Sequence, residues 1–209
     1  MSEELHGFDK AAAFWDTPPR LKLAREVARA IVRYVALTPS MDMLDFGCGT
    51  GNLALALRPK VRSVTGADAS KVMLDVFKEK IHREGVARVR TLFIDQDHAG
   101  PIPGKYHFIA VNMALHHVKD TGFLLKRLYD ALHSGGILSV TDLDPEQGRF
   151  HDDHQGVHHH GFDRAALRAQ FIEAGFADLR DHPAAEMSKP DADGKKRKFT
   201  IFIMTGLRG

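Results

Sequence analysis

Three glycines at alternate positions, Gly47, Gly49 and Gly51, stand between an apolar run at 41–46 and an apolar-patterned stretch at 52–57. That order, strand then glycine turn then helix, restricts the fold more than any other feature of the chain. Glycine has no Cβ, so the backbone turns sharply there and a ligand can approach it closely. A helix starting directly afterwards aims its free N–H groups and the positive end of its dipole at the same point.

The rest of the chain continues the alternation. A helix is expected to start at Pro18-Pro19, with Ala24, Val27, Ala28, Ile31, Val32 and Val35 on one apolar face. Residues 61–67 read as a second strand. Ser70 then caps a helix with Met73, Val76, Phe77 and Ile81 inward and Gly85 as its stop. Residues 89–94 and 106–112 read as strands. Leu124, Leu125, Leu128 and Leu132 mark a helix ended by Ser134-Gly135-Gly136, and 136–143 is a further strand. Asp163 caps a helix carrying Leu167 and Phe171, closed at Gly175. Residues 176–181 and 199–207 are two last strands with no helix between them, so a turn around Pro190–Gly194 must join them antiparallel. The expected fold is α/β, a mainly parallel sheet covered on both faces. Residues 1–40 are read as an N-terminal lid segment and helix, and 41–209 as the ligand-binding domain, together one compact unit.

Composition narrows the function classes. The chain has 209 residues and a formal net charge of +2, so no global field favours nucleic acid or a membrane surface. Lys195-Lys196-Arg197-Lys198 is read as a solvated hairpin flank. Cys48 is the one cysteine, which excludes a disulfide framework and a cysteine-ligated iron–sulfur cluster. No apolar run approaches ~18 residues and no signal-peptide core is present, so a cytoplasmic protein without membrane insertion is expected. Nothing in the sequence sets the oligomeric state.

Polar clusters recur where the predicted parallel strands end: Asp45 before the glycine loop, Asp68 after the second strand, Asp95-Gln96 after the third, and Asn112 to His117 after the fourth. That is the ligand edge of an open α/β sheet. An acid about 20 residues past a glycine loop suits ribose hydroxyls, so the ligand carries an adenosine. The spacing departs from the dinucleotide pattern G-x-G-x-x-G, because the third glycine comes one residue early and Asn52 takes its place.

With these motifs, Leu44-Asp45-Phe46-Gly47-Cys48-Gly49-Thr50-Gly51, Gly66-Ala67-Asp68-Ala69-Ser70, Asp95-Gln96 and Asn112-Met113-Ala114-Leu115-His116-His117, the chain resembles the class I S-adenosylmethionine-dependent methyltransferases. It is most similar to the small-molecule group that includes ubiquinone/menaquinone-type enzymes. The resemblance implies a Rossmann-like, doubly wound seven-stranded sheet with an antiparallel last strand. It implies S-adenosyl-L-methionine as cofactor, S-adenosyl-L-homocysteine as product, and transfer to O, N or C of a small-molecule acceptor. Gly47, Cys48, Gly49, Gly51 and Asn52 would form the loop against its methionine and ribose portions. Asp68 would bind the ribose, Ala69 and Met73 would flank the adenine, and Asp95 with Gln96 would contact it. Asn112 and Met113 would line the methionine end, and Asp45 would order the loop. Trp15, with Phe14, would close over the cofactor, and Arg20 would hold its carboxylate. The Asn/Asp-Pro-Pro-aromatic pattern of nucleic-acid amino-methyltransferases is absent after the fourth strand. Two other readings remain open, a nicotinamide-dependent oxidoreductase and a non-catalytic cofactor-binding regulatory module.

Thirteen histidines are many for this length, and His151, His154, His158, His159 and His160 crowd one connection. His154 or His158, with His116 or His117, are candidates for a general base or an acceptor contact near neutral pH. Imidazoles beside Asp152 and Asp153 also suit zinc, iron or nickel, and a polar loop is the third reading; no metal ligand is assigned.

Overall fold

The computed structural model describes residues 12–94, 100–190 and 194–209. Its seven strands are β1 (Asp42–Phe46), β2 (Ser63–Asp68), β3 (Val89–Phe93), β4 (Tyr106–Asn112), β5 (Leu132–Leu143), β6 (Phe176–Pro190) and β7 (Lys196–Arg208). They form one sheet in the order β3-β2-β1-β4-β5-β7-β6. The pairs from β3 across to β5 are parallel, and β7 runs antiparallel to both β5 and β6. Five helices are α1 (Pro18–Tyr34), α2 (Asn52–Leu57), α3 (Lys71–Arg83), α4 (Thr121–Ala131) and α5 (Arg164–Ala174). The chain leaves β1 for β2 and β3 on one side, and β4 and β5 lie on the other. The strand order therefore reverses between β1 and β4, and the crevice outside their carboxyl ends is where such a sheet binds ligands.

Both faces of the sheet are covered, which explains its unbroken apolar strands. Successive residues of β4 alternate between two cores: Phe108 and Ala110 face one, Ile109 and Val111 the other. β7 repeats this with Ile201 and Ile203 against Phe202 and Met204. One core packs under Val27 and Ile31 of α1, Leu53 and Leu57 of α2 and Phe77 of α3. The other packs under Leu124, Leu125 and Leu128 of α4 with Leu167 and Phe171 of α5.

The expected caps form. The Ser70 hydroxyl accepts from Met73 N–H, and the Asp120 and Asp163 carboxylates accept from Phe123 and Ala166 N–H. Gly175 closes α5 in the left-handed region at φ +106°.

Three details differ from expectation. Val32 is turned out to solvent. Leu132 ends no helix but opens β5, pairing with Tyr106 ahead of a register shift that absorbs 133–136. β6 runs on past Asp181 to Pro190, and bulges between Ala177 and Arg180 and between Pro183 and Ala185 let an edge strand hold a proline. The turn joining β6 to β7 includes 191–193, which lie outside the described residues.

Candidate functional site

The glycine loop crosses the end of β2, where Gly47 and Cys48 both donate to the Ala67 carbonyl, at 2.8 and 3.0 Å. Its glycines serve different ends. At Gly47 (φ +73°) a Cβ would lie 2.5 Å from the Ala114 Cβ, so this glycine lets the loop approach the turn after β4. At Gly51 (φ +81°) a Cβ would fall within the Phe77 ring, at 2.1 Å from its nearest atom. Gly51 therefore makes room for core packing. Cys48 is buried in the same core, and burial together with the Asp68 and Asp45 charges pushes its thiol well above the usual range. That thiol is no nucleophile at neutral pH.

Asp68 ends β2 and ties two elements together. Its Oδ2 accepts from Gly49 N–H at 2.7 Å and its Oδ1 from Ser70 N–H at 2.9 Å. Around it opens a cleft lined by Trp15, Phe46, Gly47, Gly49, Ala69, Ser70, Met73, Ile94, Met113, Ala114 and His117. Met113 sits at φ +50°, a strained conformation for a side chain of this size and of the kind that collects at binding sites. Two wider hollows lie elsewhere. One runs between α1 and Pro183–Glu186, the other beside Asp42, Ser63 and Arg88 at the opposite end of the strands, and neither has the carboxyl-edge setting.

Beneath the loop, Asp45 is fully buried with its Oδ2 unpartnered. Burial and the Asp68 charge push its carboxyl up to about 7, against one backbone hydrogen bond from Ala54. At the loop's flank Asp16 accepts from Thr50 Oγ1 (2.6 Å) and Asn52 Nδ2 (2.8 Å) and pairs with Lys80 Nζ at 2.5 Å. Lys80 is buried on α3 and donates also to Thr50 O and Asn52 Oδ1. Burial opposes ionisation of Asp16, but the hydrogen bonds from Lys80, Thr50 and Asn52 hold its carboxyl below the usual range. This network fastens the segment carrying Trp15 to the glycine loop.

On the far side of the cleft the connection at 151–160 folds back onto Leu115–His117. His158 and His159 N–H both donate to the His116 carbonyl, at 2.9 and 3.1 Å. His117 Nδ1 meets the Gly156 carbonyl at 2.7 Å. His116 is buried, with Nδ1 2.7 Å from Asp142 Oδ1 and Nε2 3.2 Å from His151 Nε2. Burial and the neighbouring His116 hold His117 down at about 4 and His151 at about 3, so both are neutral at pH 7.

An adenosine sulfonium fits this arrangement: a carboxylate sits at the second strand's end, an apolar slot of Ala69, Met73 and Ile94 adjoins it, and positive-φ glycines edge it. A family model described as "Methyltransferase domain" matches residues 20–180. The chain belongs to this methyltransferase family. An uncharacterized methyltransferase of Schizosaccharomyces pombe is 36% identical over 135 residues, 58% of this chain and 48% of that protein. A ubiquinone biosynthesis O-methyltransferase of Thiobacillus denitrificans is 27% identical over 137 residues, 64% of this chain and 59% of that one. Phosphoethanolamine N-methyltransferase 2 of Haemonchus contortus, solved with S-adenosyl-L-methionine, superposes with a TM-score of 0.68 at 20% identity, covering 87% of this chain and 52% of that one. The chain spans about half the length of the curated relatives it matches.

Within this family domain, the structure brings Trp15, Gly47, Gly49, Asp68, Ala69, Met73, Met113 and His117 to one cleft. Other candidates stand apart. Gly51 and Cys48 pack against Phe77 and the core, and Asn52 is engaged by Asp16 and Lys80. Asp45 is sealed beneath the loop. The Arg20 guanidinium stacks on Trp15 at 3.8 Å from the ring centroid. Asn112 Oδ1 accepts from the Thr141 hydroxyl, and Phe14 is exposed. His154 is exposed beside His160, and His158 is exposed as well. Asp95 and Gln96 lie outside the described residues. The sequence reading missed Asp16, Lys80 and Asp142. A lysine three residues after Phe77 on an apolar helix face is a signal for the second, and an acid at the end of a parallel strand for the third.

Proposed function

We propose that the chain transfers the methyl group of S-adenosylmethionine to O, N or C of a small-molecule acceptor. The observation that carries this reading is Asp68, whose two oxygens accept backbone N–H groups from the glycine loop and from the turn after β2. Such an anchored carboxylate is suited to a vicinal diol. When bound, the cofactor supplies a methyl on a positively charged sulfur that is already a good leaving group. The protein's task is then to position both reactants and exclude water.

In this reading residues 1–40 act as a lid segment and helix on the 41–209 domain, with Trp15 as the described residue that covers the cleft. An aromatic face there attracts a sulfonium. Met113 and Ala114 line the end nearest the acceptor, where His117 presents a neutral imidazole. Its Nδ1 faces a carbonyl, which only accepts, so in the neutral ring Nδ1 carries the proton and Nε2 the lone pair. Small metabolites are favoured over nucleic acid by the net charge of +2. No helix among the described residues is long and apolar enough to cross a membrane, and we place the enzyme in the cytoplasm.

Calorimetry with S-adenosylmethionine and S-adenosylhomocysteine, followed by a methyl-release assay on a panel of small acids, phenols and amines, tests this. Binding of both nucleosides and turnover on one acceptor class are expected. No binding to the intact protein would overturn the reading, and binding without turnover on any acceptor would favour a regulatory module.

A further inference from the structure

We propose that His116, His117 and His151 form a binding site for a divalent transition ion of the zinc class, at the acceptor end of the cleft. Their ligating nitrogens all lie within 4.8 Å of one another. The rings cluster tightly, with centroids 4.1 Å apart for His116 and His117, 5.0 Å for His116 and His151, and 5.5 Å for His117 and His151.

Two of the three lone pairs are set in advance by what the opposite ring nitrogen touches. Asp142 is buried, and its Oδ1 also accepts from Leu143 N–H at 2.8 Å while its Oδ2 faces His116 N–H at 3.3 Å. An oxygen placed as a backbone acceptor accepts a hydrogen bond from His116 Nδ1–H, so in the neutral ring Nε2 carries the lone pair. The Gly156 carbonyl fixes His117 in the same tautomer. This is the outer-shell pattern of metal-ligating histidines, a carboxylate behind one ring and a carbonyl behind another.

The spacing agrees. Two nitrogens bound at ~2.0–2.1 Å in tetrahedral geometry stand about 3.3 Å apart. His116 Nε2 and His151 Nε2 are 3.2 Å apart. In the metal-free protein His151 Nε2–H donates across that gap; when an ion binds, the proton moves to His151 Nδ1 and both lone pairs turn to the metal. Three neutral imidazoles with no oxygen in the ligand set select zinc, cobalt or nickel over magnesium or calcium. Three protein ligands also leave a fourth position open, as in catalytic rather than structural zinc sites. Since His117 lines the cleft, that position adjoins the acceptor end. An acceptor hydroxyl or thiol bound there would release its proton to water near neutral pH, and the metal-held oxygen or sulfur would carry the electron pair that takes the methyl. This role rests on the methyltransferase reading, whereas the binding of the ion does not.

The test is a titration of chelator-treated full chain with Co(II), read by its visible absorption. One ion per chain with the intense spectrum of a tetrahedral site is expected, displaced by Zn(II) and unaffected by millimolar Mg(II). His151→Ala should weaken binding at least tenfold, and Asp142→Asn by ~10–100-fold, the usual effect of losing an outer-shell partner. Circular dichroism identifies variants that keep the fold, and His117→Ala serves should Asp142→Asn not fold. His160→Ala removes an exposed histidine next to His154 and should leave the affinity unchanged. No tetrahedral spectrum, full binding in His151→Ala, or loss only in His160→Ala would each overturn the proposal. S-adenosylhomocysteine titrated into the metal-free protein tests the cofactor reading separately.

Discussion

Replacing Asp16 with Asn removes the negative charge that ties the Trp15 segment to the glycine loop. The carboxylate has three partners, Lys80 at 2.5 Å, Thr50 at 2.6 Å and Asn52 at 2.8 Å. An Asn in its place retains one acceptor oxygen for Thr50 and Asn52, so the main loss is the ion pair. Lys80 is 8% exposed and keeps Thr50 O and Asn52 Oδ1, while Asp16 is 32% exposed. A fully buried broken pair costs ~3–5 kcal/mol; with solvent reaching one partner and two acceptors left to the other, ~1–2 kcal/mol is expected. Falling on closure of the Trp15 segment, that loss weakens cofactor binding by about five- to thirtyfold. Trp15 is the sole tryptophan of the chain, so its fluorescence reports on this segment alone. Asp16→Asn should red-shift the emission and reduce its response to S-adenosylhomocysteine. Adding Lys80→Met removes the stranded ammonium, so the double variant should lose less than the two single losses added together. An Asp16→Asn protein with unchanged emission and an affinity within twofold of the parent would refute the account.

Three further outcomes are expected. Asp68→Ala removes the acceptor for Gly49 and Ser70 N–H and should weaken cofactor binding by about 1–3 kcal/mol in calorimetry; an unchanged affinity would remove Asp68 from the site. Gly47→Ala meets the Ala114 Cβ at 2.5 Å and strains a φ of +73°, so denaturant unfolding should show a loss above about 2 kcal/mol. Adding Ala114→Gly should restore part of that, because only the overlap is relieved. The Asp45 carboxyl titrates near 7 in the folded chain against 3.8 when free, so its contribution to stability is complete below about pH 4 and falls as pH rises to 7. Asp45→Asn should therefore gain on the parent by up to about 3 kcal/mol between pH 5 and pH 8 in urea melts; a pH-independent difference would contradict the assignment.

How far the sequence reached depended on the range of the interaction. Periodicity and caps are local, so α2 at Asn52–Leu57 and β4 at Tyr106–Asn112 coincide with their expected spans. The strand carrying Asp68 and the loop carrying Gly47 were legible for the same reason, since a strand end and a glycine turn announce themselves within a few residues. Leu132 was misplaced because its apolar period continues that of Leu124 and Leu128, and only pairing with Tyr106 reveals it as strand. Long-range pairing hid the rest. Nothing near Lys80 in sequence indicates Asp16, and nothing near His116 indicates Asp142 or His151. Glycines that look alike in a motif also differ in purpose once Phe77 is seen against Gly51 and Ala114 against Gly47.

The position of β7 bears on how the chain is made. Among the described residues β6 pairs with β7 alone, and β7 lies between it and β5. A ribosome delivers β5 and β6 before residues 196–208 exist, so β5 waits as an open, apolar edge. Release of the last strand inserts it into this gap and closes the sheet from the middle. A nascent chain stalled before residue 196 would keep that edge exposed, and should be the form that chaperones hold and that aggregates when they do not.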